Sequence, residues 1–166
     1  MPRSDSRLFL CTLLTGLACV GAGCGSSTAG GKAAFVSRAN SICAAADKDL
    51  SAISGQLRSL GQSTQRKRDL YARAATLTHQ AAVRQTLSAD RLAALTPPGA
   101  DRSSIESWIG QLRRQSALTE VAVAAFTARN PKGASQAVSQ ILPVESQAHA
   151  FANRYGMQAC GKTAGA

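Results

Sequence analysis

Between Phe35 and Leu60 apolar side chains return every three or four residues: Phe35, Ala39, Ile42, Ala46, Leu50, Ile53, Leu57 and Leu60. That spacing puts them on one face of an α-helix of roughly seven turns and conflicts with the period of two that a strand requires. Gly61-Gln62-Ser63 closes this helix, and Ser63 or Thr64 is placed to cap a second that passes through Leu70, Leu77, Ala81, Val83, Leu87 and Leu92 to Leu95. Thr96-Pro97-Pro98-Gly99 stops it, because proline removes backbone donors and drives the preceding residue out of the helical region.

Ser103-Ser104-Ile105-Glu106 reads as a capping box for a third helix, with Ile105, Trp108, Ile109, Leu112, Thr119, Val123 and Phe126 on or near one face. Beyond Asn130-Pro131-Lys132-Gly133 a fourth carries Val138, Ile141, Leu142, Ala148, Phe151, Ala152 and Tyr155. Pro143 predicts a kink or a division in it, and Gly156 suits the left-handed position past its end. Alanine fills 32 of the 166 positions and aromatic residues only 4%, which favours helices over sheet. Four such segments with short connections predict an all-α, antiparallel up-down four-helix bundle over residues 34–161.

Ahead of the bundle, Arg3 and Arg7 precede a short apolar run from Leu8 to Val20, the layout of a cleaved secretory signal peptide. The run is too short for the roughly 18 or more residues of a membrane-spanning helix. Val20-Gly21-Ala22-Gly23-Cys24-Gly25-Ser26-Ser27 then resembles the bacterial lipobox, with Gly21 departing from the aliphatic residue usual three places before the cysteine. The resemblance implies a diacylglycerol on Cys24 and cleavage after residue 23; Cys19 competes as acceptor, with the bulky Leu17 against it. An ordinary signal peptide and a freely secreted protein is the plainer alternative. Residues 24–33 then read as the lipidated cysteine and a flexible Gly/Ser spacer, and 162–166 as a disordered tail.

Cleavage at that point removes Cys11 and Cys19, commits Cys24 to lipid, and leaves Cys43 and Cys160. An even pair in an oxidising compartment predicts a disulfide tying the first helix to the tail across 117 positions. In the chain-entropy model closing a loop on the order of 100 residues contributes up to about 4–5 kcal/mol.

Phe35-Val36-Ser37-Arg38-Ala39-Asn40-Ser41-Ile42-Cys43, Leu92-Ala93-Ala94-Leu95-Thr96-Pro97-Pro98 and Tyr155-Gly156-Met157-Gln158-Ala159-Cys160-Gly161 together resemble a group of small helical lipoproteins from bacteria of the high-GC Gram-positive type. The resemblance implies an extracytoplasmic lipid anchor, a helical fold and the Cys43–Cys160 pairing, and no assigned activity.

Residues that carry chemistry are sparse. His79 and His149 are the only histidines, and Glu145 lies four residues before His149 on one helix face. A di-metal bundle needs Glu-x-x-His from two helices and two further glutamates, against the three glutamates of this chain, so no metal or other cofactor is expected. No G-x-S-x-G elbow and no phosphate-binding G-x-x-x-x-G-K occurs, and Ser54, Ser59 and Ser116 read as solvated, so no enzymatic constellation emerges.

The net charge of +10 concentrates on the second and third helices, in Arg66, Lys67, Arg68, Arg73, Arg84, Arg91, Arg113 and Arg114. Arg66, Lys67, Arg68, Arg73, Arg113 and Arg114 are the candidates for contact with anionic lipid head groups or cell-wall polymers. Nucleic acid is not expected, because Trp108 sits in an apolar stripe and reads as core rather than as a base-stacking platform. The sequence therefore points to non-enzymatic binding or scaffolding at the cell envelope through basic helix faces, with a small-molecule or metal-binding bundle as the alternative.

Overall fold

The computed structural model describes residues 27–64 and 66–162. The signal segment, Cys19 and Cys24 lie outside them. Four antiparallel helices follow one another: α1 (Ser27–Gly61), α2 (Lys67–Ala93), α3 (Arg102–Thr127) and α4 (Pro131–Tyr155), with a 3-10 turn at Gly99–Asp101 before α3. No strand occurs among the described residues. α1 packs on α2, α2 on α3 and α3 on α4.

The helix ends differ from the sequence reading in ways that have local causes. α1 begins at Ser27, so residues 27–33 of the expected spacer are helical. Ala29, Lys32, Ala33 and Ala34 are good helix formers without a proline among them, and Lys32 Nζ stands 4.2 Å over the ring of Tyr155. Ser63 and Thr64 do not cap α2: its N-cap is Arg66 without a side-chain bond, and the first turn instead carries Asp69, whose charge suits the positive end of the helix dipole. The capping box at Ser103 is likewise not formed. The 3-10 turn delivers the chain into α3 at Arg102, which places Ser103 inside the first turn with Asp101 at the cap.

The start of α4 is the strongest local signal. Gly133 N–H donates to Asn130 Oδ1 at 2.9 Å, and Pro131 occupies the first helical position, where its missing donor is of no consequence. α4 then runs undivided past Pro143. Pro143 and Ser139 are both exposed, so the carbonyl left without its amide partner is open to solvent. Gly156 ends the helix at φ 97°, a left-handed conformation that glycine adopts without a Cβ penalty.

At one end of the bundle a core of Phe35, Leu92, Ile105, Trp108 and Met157 draws all four helices and the tail together. Trp108 Nε1–H donates to Ala148 O at 3.1 Å, and its ring stacks on Phe151, which stacks on Tyr155, which meets the edge of Phe35. The Tyr155 hydroxyl donates to Asp101 Oδ2 at 2.7 Å; burial first, then that carboxylate, push its pKa well above the ordinary phenol value. The disulfide joins Cys43 to Cys160 with Cα atoms 5.0 Å apart, and Ala159 N–H donates to Asn40 Oδ1 at 2.8 Å. A second, smaller core at the opposite end holds Ile53, Leu60 and Leu77, from α1 and α2 alone.

Ser116, read from sequence as solvated, is buried in the α2–α3 seam, where its hydroxyl donates to Ala82 O at 3.0 Å. Thr119, also buried there, donates to Gln85 Oε1 or to Gln115 O at 3.0 Å. Val83, Leu87, Val138 and Leu142, counted by spacing among the apolar faces, are exposed.

Candidate functional site

α1 and α4 converge only at the disulfide end and stand apart below it. Their separation is visible along the α1 stripe: Phe35, Ala39, Ile53 and Leu60 are buried, whereas Ala46, Leu50 and Leu57 between and beside them are only partly covered. The uncovered stretch is one wall of an open cleft of about 460 Å³. Val138 and Ile141 of α4 form the facing wall, and Ala81, Ala89, Leu92, Trp108 and Leu112 of α2 and α3 form the floor. The volume lies within the range of small-molecule pockets, roughly 300–1,000 Å³. Ala46, Ala81 and Ala89 help create it, since a small side chain keeps the helix while leaving space.

Polar groups gather toward the end closed by the disulfide. Asp47, one turn along α1 from Cys43, and Glu145 and His149 of α4 line the cleft there, with Lys162 from the tail and the neutral Ser54, Gln85, Ser88, Gln115 and Thr119 elsewhere. From the Phe35–Tyr155 contact, Asp47 is about 18 Å down α1 and Glu145 about 15 Å down α4, so the two carboxylates stand at nearly one level. Glu145 Oε1 lies 3.9 Å from His149 Nε2, beyond hydrogen-bond reach, and both side chains are about four-fifths covered, at 21% and 20% exposure.

The two histidines are not brought together. His79 Nδ1 lies 2.9 Å from Glu120 Oε1 on the outside of the α2–α3 pair, while His149 faces the cleft. Among the described residues no three His, Cys, Asp or Glu side chains gather as a metal site would require. No helix among them is long and apolar enough to cross a membrane.

The basic candidates fall in separate places. Arg66 pairs with Asp69 at 3.2 Å at the start of α2, whereas Arg113 pairs with Asp90 at 3.0 Å, about 36 Å away along that helix. Lys67, Arg68 and Arg73 are exposed near the former and Arg114 beside the latter, so these six candidates fall in two groups. Arg84, between them, pairs with Asp49 at 3.5 Å.

Sequence reasoning reached Glu145 and His149 as neighbours on a helix face and missed Asp47, Gln85 and Gln115 as cleft residues. A signal for Asp47 exists: it directly follows Ala46 and so borders the apolar stripe of α1. No family model, no curated protein and no solved structure matches this chain.

Proposed function

We propose that this chain is an exported, lipid-anchored binding protein whose bundle takes up a small, largely apolar molecule in the cleft between α1 and α4. The observation that carries the binding role is the cleft itself: an apolar stripe of α1 left uncovered opposite Val138 and Ile141, with its charged groups at one end only. Pockets for small ligands have that character, apolar walls with a few convergent polar groups. The signal-like segment, the lipobox-like residues before Cys24 and the disulfide support an extracytoplasmic location, at which the lipid would hold the open bundle beside the membrane.

The test uses the protein recovered from membranes of a lipidating host and reconstituted into phosphatidylcholine vesicles. Trp108 is the only tryptophan and lies on the cleft floor, so its emission reads the site against a silent bilayer. Octanol should change that emission saturably, with no loss at about 0.5 M salt. Ala46→Phe, which fills the cleft, should abolish the response while leaving the helical circular dichroism intact. A response that weakens with salt, or with Arg66, Lys67 and Arg68 replaced by alanine, would transfer the function to the basic surface. A peptide map of the same material should show a lipid-modified Cys24; an unmodified Cys24 would overturn the anchor.

A further inference from the structure

We infer that the cleft selects organic monocations, molecules with an ammonium head and an apolar body; this rests on the cleft being a binding site. The inference comes from how this strongly basic chain distributes its ion pairs. Asp49, Asp69 and Asp90 each hold an arginine within 4 Å, at 3.5, 3.2 and 3.0 Å. The two carboxylates that face the cleft hold none. Among the described residues Asp47 makes no ion pair or hydrogen bond, and Glu145 has only His149 at 3.9 Å.

No arginine lines the cleft, and Lys162, its one lysine, lies beyond 4 Å of either carboxylate. In a chain with 19 lysines and arginines against nine acids, that leaves a net negative pole inside an apolar recess. His149 offers a ring nitrogen there as a hydrogen-bond partner. A partly desolvated carboxylate attracts a cation more strongly than one in water does, and repels an anion to the same degree. An ammonium at either Asp47 or Glu145 would find a carboxylate acceptor, with its apolar body laid along Leu50 and Ile141 toward the open end.

The same vesicle-bound full chain tests this with three probes of one chain length at pH 7: octylamine, octanol and octanoate. The amine should bind about tenfold more tightly than the carboxylate, with the alcohol between them. Asp47→Asn with Glu145→Gln should bring all three within about twofold by removing the amine's advantage, with octanol affinity unchanged. Octanoate binding as tightly as octylamine, or a preference that survives the double substitution, would overturn the selectivity while the octanol response keeps the cleft as a site. Failure of all three probes to move Trp108 emission would overturn both.

Discussion

Asn40 Oδ1 accepts a 2.8 Å hydrogen bond from the backbone N–H of Ala159 across 119 positions of sequence. Three residues further along α1, Cys43 is bonded to Cys160, so the tail is fixed to the first helix by a covalent bond and a polar one in adjacent turns. Replacing Asn40 by alanine leaves a partly buried amide donor without its partner and is expected to lower unfolding free energy by about 0.5–1.5 kcal/mol. Urea unfolding followed by circular dichroism measures it.

Cys160→Ser opens the 117-position loop and is expected to lower stability by about 2–5 kcal/mol. The effect should exceed that of Asn40→Ala and should be reproduced by reducing the unaltered protein. Equal melts of oxidised and reduced protein would show that the tail is held by packing alone.

Asn153 covers Gly161: its Nδ2–H donates to Gly161 O at 3.1 Å, and a Cβ on residue 161 would overlap the Asn153 amide. Gly161→Ala and Asn153→Ala should each lower stability by about 1 kcal/mol, through loss of the same contact. The double variant should then lose little more than either single one. Additive losses in that cycle would mean the two positions act independently.

Tyr155 gives the bundle an alkaline limit. Its pKa is raised in the folded protein by burial and by the Asp101 carboxylate, so the contribution is present in full below the unfolded value and is lost as pH rises through the folded one. The stability difference between the unaltered protein and Tyr155→Phe should therefore hold steady to about pH 10 and shrink above it. Denaturant melts of both proteins from pH 8 upward check this. A difference that stays constant through pH 11 would sink the assignment.

Trp108→Phe keeps a ring beside Phe151 but removes the hydrogen bond to Ala148 O, for an expected loss of about 1–2 kcal/mol, whereas Trp108→Ala should lose about 3–5 kcal/mol by leaving a cavity in the four-helix core. Thermal unfolding of the two variants separates the polar from the packing contribution.

Local chemistry in the sequence determined the helices, because periodicity, proline and glycine act over a few residues. The stripe from Phe35 to Leu60, the Asn130-Pro131 start of α4, Gly156 after Tyr155, the core place of Trp108 and the Cys43–Cys160 pairing all appear in the structure. The two caps read from sequence do not, because the helices start elsewhere: α2 begins past Ser63 and Thr64 with Arg66 at its cap, and the 3-10 turn starts α3 at Arg102, ahead of Ser103. Tertiary structure decided which of the equally spaced apolar residues became core. The same three-to-four spacing carries the buried Ile53 and the partly open Leu50, and what separates them is whether a neighbouring helix lies opposite. That depends on α4 diverging from α1 below the disulfide, a relation between segments about 100 residues apart that no local pattern encodes. The cleft and the facing of its two carboxylates into it follow from that divergence.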